Sequence, residues 1–452
     1  MKYAGKLPVY SSKDIQRNIV SIGFECLDRD VFDPEKCYSA LAETGIKYAR
    51  CQTGWAKCEK EKGKYDFAWL DRVVDKLIES GITPWFNVGY GNPLYMNDLP
   101  NPTGVGCVPL YYGDETVSAW KNFLSALAVH FRGRVREYEI WNESNINHFW
   151  YPEEPNGKEY ARLIALSGKV IRASDKNAKI GACTSGCSNY SYISDMLSAL
   201  APDELNFFCY HSYNASPEKD MSYVPELHHV FKSHGFGKTE IWDGEGGYPS
   251  WAYECHFSVP SGITGERAQA VWQLRHFFID AYLGAKRISF FQAADMWEKP
   301  YAKAKEVLRK PAAHGILNGI TYTKKKSFYT IQNIASMFAD GIEKSDDFFA
   351  GDVQPEDTVL QNACIKMSFR KNGLPLLAFY LPTPVNAPAP QGKFFSATFD
   401  AELKEPVLVD TYKGEVYDVE VEHSDWNGYF TCRNIPLTDY PMIITEKELI
   451  FV

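Results

Sequence analysis

Between about residue 19 and residue 340, short apolar runs alternate with longer amphipathic ones. "IVSIGFE", "IKYARCQ", "ITPWFNVGY" and "VREYEIWN" have the length and β-branched or aromatic content of buried strands. Between them, "DPEKCYSALAETG", "FAWLDRVVDKLIESG" and "ETVSAWKNFLSALAVHF" repeat apolar residues with helical spacing. The first of these helices has Pro34 early and Gly45 at its end, a start and a stop signal. The alternation continues through strands at "AKIGAC", "LNFFCYH", "KTEIWDG" and "KRISFFQ", and a last helix covers roughly "SFYTIQNIASMF". Eight strand–helix units in succession predict a (β/α)8 TIM barrel, an α/β fold. A doubly wound open sheet would carry a Gly-rich turn after its first strand, and "GFECLDRD" is not one.

Beyond residue 343 the segments become short and β-rich, split by Gly, Pro, Asn and Asp. They predict a C-terminal β-sandwich domain. The expected division is 19–342 for the barrel and 1–18 plus 343–452 for an accessory sandwich.

Composition narrows the classes. Of 452 residues, 45% are hydrophobic and 23% charged, ordinary for a globular chain. The net charge of −9, with Lys324-Lys325-Lys326 as the one basic block, argues against nucleic acid as a partner. Aromatic residues reach 15%, with 11 Trp and 28 Tyr, which suits both packing and aromatic-lined binding surfaces. The 11 Cys and 10 His lack metal-ligand spacing, so neither metal nor cofactor is expected. No apolar leader opens "MKYAGKLPVYSSKDIQRN" and no run of about 18 apolar residues occurs, so the expectation is a cytoplasmic protein without a membrane span. The oligomeric state is not legible.

Active sites of this fold sit where the strands end. The fourth strand runs into Asn142-Glu143 in "YEIWNESNINHFW", and the seventh into Glu245 in "EIWDGEGGYPS". Two carboxylates on opposite sides of a barrel mouth are the minimum equipment for glycoside hydrolysis. Arg50, Trp55, Asn87, His211, Tyr213, Gln292 and Trp297 stand at or near other strand ends. Of these, Arg50, Trp55, Asn87, His211, Tyr213 and Trp297 join Asn142 as candidate substrate-binding residues. Trp55, Trp85 and Trp150 suit wall or core better than specific subsites. Glu25, Asp28 and Asp295 are rival carboxylates, and Glu59 reads as a solvated loop charge. No G-x-S-x-G elbow is present, which argues against a serine hydrolase.

The paired motifs "YEIWNESN" and "EIWDGEGGYPS" resemble those of clan A retaining glycoside hydrolases, and "GWAKCEKEKGKYDFAWLD" is similar to the strand-two region of family 39 and its relatives. The resemblance implies Glu143 as acid/base and Glu245 as nucleophile. It implies Asn142 on the sugar 2-hydroxyl and Arg50 beneath the nucleophile. His211 and Tyr213 would orient the carboxylates, and Trp297 would floor the subsite. The substrate would be a glycoside, oligosaccharide or polysaccharide. The chain departs from the pattern in the Gly-rich "WDGEGG", which leaves the pocket shape open. The alternative from another class is a non-catalytic carbohydrate-binding barrel.

Overall fold

The computed structural model describes residues 1–251, 265–296, 312–385 and 390–451. Eight parallel strands close into a barrel: β1 (Val20–Gly23), β2 (Tyr48–Gln52), β3 (Thr83–Val88), β4 (Glu137–Ile140), β5 (Lys179–Ser185), β6 (Phe207–Ser212), β7 (Glu240–Gly246) and β8 (Ile288–Phe290). Closure is made by β1 on β8, with Val20 opposite Ile288 and Ile22 opposite Phe290. The helices between them follow the expected period. In Ala68–Glu79 the buried residues are Leu70, Val73, Val74 and Leu77, one apolar stripe against the barrel.

Some boundaries differ from the sequence reading. The expected helix at Pro34 is a 3-10 turn, Pro34–Lys36, capped by the Asp33 carboxylate, followed by a short helix Tyr38–Ala42. β4 stops at Ile140. β7 continues through Glu245 to Gly246, beyond the "KTEIWDG" that the sequence suggested.

The barrel floor is filled. Trp85, Phe207, Trp242, Cys183 and Cys209 form a separate buried cluster. Phe207 and Trp242 stack at 3.9 Å, and the Arg287 guanidinium lies 3.8 Å from the Trp242 ring centre. Glu240, at the start of β7, accepts a hydrogen bond from Trp242 Nε1 at 2.9 Å and so belongs to this floor. No helix among the described residues is long and apolar enough to cross a membrane.

Two antiparallel sheets follow the barrel, one of seven strands and one of four. The N-terminal strand Lys2–Lys6 pairs with Glu415–Asp418 at the edge of the larger sheet. The sheets meet through aromatic faces, with Phe379 and Phe395 stacked at 4.4 Å. Gly351 is required there, because a Cβ would fall 2.1 Å from the Phe395 ring.

The helix Glu266–Tyr282 lies between barrel and sandwich and is buried almost throughout. It shows little amphipathicity because both of its sides are covered. Its Arg275 donates to Glu218 Oε1 at 2.7 Å and to the Thr383 carbonyl at 2.6 Å. Tyr380 of the larger sheet donates to the same Glu218 oxygen at 2.8 Å. Replacing Arg275 by Ala leaves a buried carboxylate without its cation. Chemical denaturation should show a loss of about 3–5 kcal/mol in unfolding free energy, the usual cost of breaking such a pair from one side.

Candidate active site

The chain turns sharply where β4 ends. Trp141 has φ 70° and Glu143 φ 40°, both on the left-handed side that side chains rarely adopt. The aromatic residues around them hold this turn. Trp141 Nε1 donates to the Phe149 carbonyl at 2.5 Å, and its ring meets Tyr90 edge-on at 5.5 Å. Asn87 on β3 donates to the Trp141 carbonyl at 2.8 Å. The turn sends Asn142 toward Arg50 and Glu143 toward His211.

Arg50, on β2, is the hub. Its guanidinium grips Glu139 with two bonds, of 3.1 and 2.5 Å. It also donates to Glu25 at 2.7 Å, Glu245 at 2.8 Å and Asn142 Oδ1 at 2.8 Å. It has no exposed surface. Glu245 Oε1 accepts the Tyr213 hydroxyl. His211 Nδ1 lies 3.0 Å from Glu143 Oε1 and 3.6 Å from Glu245 Oε2, so one ring nitrogen spans both carboxylates. Its other nitrogen meets Cys183 Sγ at 3.1 Å.

A bulge aims Glu245. Asp243 pairs with Tyr210 and Glu245 with His211, so Gly244 is an extra residue in β7. Strict alternation from Trp242, which faces the interior, would turn residue 245 outward. The extra residue reverses that. A side chain at 244 would place its Cβ 2.8 Å from Cys209 Cβ, so glycine is required. The Gly-rich departure in "WDGEGG" has this local cause.

Three carboxylates share one guanidinium, and their protonation separates. Burial, reinforced by the charge of Glu245, pushes the Glu25 carboxyl well above the usual range despite Arg50. Burial would raise Glu245 as well. The charges of His211 and Arg50, with hydrogen bonds from Glu25 and Tyr213, outweigh it and hold Glu245 below the usual range. Burial disfavours a charged His211, but Glu245 and Glu143 more than compensate, and its pKa is raised.

The structure thus brings together Glu143, Glu245, Asn142, Arg50, His211 and Tyr213. Two further candidate residues are buried away from the mouth. Trp55 is fully buried, stacked on Tyr95 and Phe123, with Nε1 donating to Glu59 at 2.6 Å. Asn87 is buried beneath the turn, its amide spent on Glu139 and Trp141. Trp297 lies outside the described residues. Glu59 is no solvated charge. It is buried and also accepts from Tyr95 and the Gly63 amide. Asp295 is paired with Lys325 at 2.5 Å. Sequence reasoning missed Glu139. The signal was its parity with Glu137 in "VREYEIWN", which faces a carboxylate into the barrel, where only a buried cation can match it. Glu139, Cys183 and His211 place ligand atoms within 4.8 Å of one another, but Arg50 already neutralises that carboxylate.

Residues 32–232 match the model of Glycosyl hydrolases family 39. The chain resembles glycoside hydrolase family 39 of clan A. A β-xylosidase from Geobacillus stearothermophilus is 25% identical over 171 residues, covering 34% of this chain and 32% of that protein. A β-galactosidase from Bifidobacterium bifidum is 68% identical over 58 residues, 13% of this chain and 8% of that protein. The chain therefore spans a third or less of these relatives. Among solved structures, a family 39 β-xylosidase from Caulobacter crescentus superposes with a TM-score of 0.55 at 16% identity, over 84% of this chain and 79% of that one. A family 30 endoxylanase from Clostridium papyrosolvens C71 superposes with a TM-score of 0.62 at 13% identity, over 97% of this chain and 98% of that one. At these identities the two structures establish the barrel-plus-sandwich fold.

The carboxylate arrangement has a pH consequence. A carboxyl raised in the folded state binds its proton more tightly there than in the unfolded chain, whose value is near 4.5. Its contribution is full below that value and is lost as pH rises through the folded pKa. Glu25→Gln removes this loss while keeping the shape. Urea titrations should therefore show the variant gaining stability relative to the parent as pH rises above about 4.5.

Proposed function

We propose that this chain is a retaining β-glycosidase, with Glu143 as acid/base and Glu245 as nucleophile. The observation that carries this reading is the single imidazole nitrogen spanning both carboxylates, 3.0 Å from one and 3.6 Å from the other. That bridging favours the short separation of about 5–5.5 Å found in retaining enzymes over the wider gap that must admit a water. The lowered pKa of Glu245 keeps it ionised for attack.

In the first step Glu245 attacks the anomeric carbon and forms a glycosyl ester, while Glu143 gives its proton to the departing oxygen. In the second, Glu143 takes a proton from water, the water oxygen bonds to the anomeric carbon, and Glu245 leaves as a carboxylate. Arg50 and Tyr213 receive the negative charge that returns to Glu245. Asn142 commits Oδ1 to Arg50, which leaves its amide hydrogens for the sugar 2-hydroxyl, a bond that strengthens in the transition state. In this reading residues 19–342 carry the chemistry, and 1–18 with 343–452 form the accessory sandwich. The relatives' names make aryl β-xylosides and β-galactosides the first substrates to try.

The decisive experiment uses Glu245→Ala. Turnover of an aryl β-glycoside should vanish, and azide should restore release of the aryl group, giving a glycosyl azide of inverted configuration. Glu240→Gln, on the barrel floor, should keep turnover within about tenfold of the parent. An active Glu245→Ala beside a dead Glu240→Gln would overturn the assignment.

A further inference from the structure

A second cluster of charge lies behind β7, on the side away from the barrel mouth. Asp243 on β7, Asp220 at the start of helix Asp220–Ser233, and His276 and Asp280 on helix Glu266–Tyr282 converge there. All four have no exposed surface. His276 Nε2 lies 2.6 Å from Asp243 Oδ2 and 3.4 Å from Asp280 Oδ2. Asp220 accepts one bond per oxygen, from Ser212 at 2.6 Å and Asn214 at 2.7 Å, and each oxygen keeps a lone pair.

The cluster is over-supplied with acceptors. Among the described residues, Asp243 Oδ1 and His276 Nδ1 have no hydrogen-bond partner, and the Asp280 carboxylate meets its nearest cationic group, His276, only at 3.4 Å. Among the described residues three carboxylates face a single imidazole, so one charge of +1 at most answers three of −1. Uncompensated charge at such depth is costly and calls for a further cation or for protons. The geometry fits a cation. Ligand atoms of Asp220, His276 and Asp280 lie within 4.8 Å of one another, about twice a metal–ligand bond. The His276 ring is held flat against Trp272, 4.4 Å between centres, so its direction is fixed.

We propose that Asp220, His276 and Asp280, with Asp243 beside them, form a structural site for one divalent first-row cation of the Mn2+ or Zn2+ kind. Three carboxylates with one imidazole match that class. Mg2+ and Ca2+ favour oxygen alone, and softer ions want thiolate or thioether. On binding, the imidazole releases its proton to solvent and the ion takes its place against the carboxylates. The ion ties two helices to the back of the strand that carries Glu245, close to the helix-facing Gly246, where an added Cβ would lie 2.8 Å from His276 Nε2. It takes no part in chemistry at the mouth, and the inference does not depend on the glycosidase reading.

The test is the metal content of the full chain, purified without chelator from cells supplied with Mn2+ and Zn2+, compared with Asp280→Asn and Glu245→Gln. The parent and Glu245→Gln should carry about one ion per chain. Asp280→Asn should carry less than about a tenth of that and melt several degrees lower. The opposing account, neutralisation by protons, gives the reverse sign: a metal-free parent, and an Asp280→Asn protein that melts at or above it, since Asn mimics the protonated acid. A metal-free parent overturns the proposal whether or not the variant folds. An ion that persists in soluble Asp280→Asn overturns the assignment to this cluster.

Discussion

The Arg50 guanidinium is the constraint on which the barrel mouth depends. It is fully buried and ties β2 to Glu25 beyond β1, to Glu139 and Asn142 on and beyond β4, and to Glu245 on β7. A buried ion pair is weak evidence for stability, since desolvation consumes much of the attraction, but it is effective at fixing which groups meet. One cation cannot neutralise three carboxylates. The excess is reduced at Glu25, the carboxyl pushed toward its protonated form, while Arg50 pairs with Glu139 and the charges of His211 and Arg50 hold Glu245 ionised. The division of labour between carboxylates thus follows from counting charges around a single side chain.

The remaining architecture keeps that hub in place and dry. Below it, Trp85, Phe207 and Trp242 close the barrel floor. Beside it, the aromatic collar of Tyr90, Phe149 and Trp120 packs on Trp141 and holds the left-handed turn that parts Asn142 from Glu143. Behind it, the sandwich covers helix Glu266–Tyr282 through Arg275 and the Phe278–Phe369 contact, so the polar groups from Gln269 to Asp280 stay out of solvent.

Much of this was legible in the sequence, and the exceptions share a cause. The eight units were visible because strand and helix periods differ, and period is a local property. Asn142, Glu143 and Glu245 were visible because they interrupt apolar runs where strands end. The surroundings of Trp55, Asn87 and Glu59 were not legible because they come from distant segments. Glu59 sits in "CEKEKGKYD", which reads as solvated, yet Tyr95, from after the next strand, donates to it and covers it. Trp55 follows β2 closely, but Phe123 and Trp120, from a later helix, enclose its ring. Glu139 was overlooked for the opposite reason: its partner Arg50 was noticed, but the strand parity that faces them together was not used.

The placement of Glu245 joins these levels. Alternation along β7 sends Trp242 into the barrel floor and Asp243 out to His276. Continued without interruption, it would send residue 245 out as well, among carboxylates that already exceed their cations. The one-residue bulge at Gly244 turns Glu245 back to the interior, where Arg50, His211 and Tyr213 wait. Only glycine fits there, against Cys209 on β6. The same bulge therefore separates two acidic centres that stand two residues apart in sequence. One opens to the mouth and is balanced by a guanidinium, and the other is sealed behind the strand with only an imidazole to answer it. A glycine that looked like a loosening of the motif is the residue that sorts the charges of β7 between the two faces of the barrel wall.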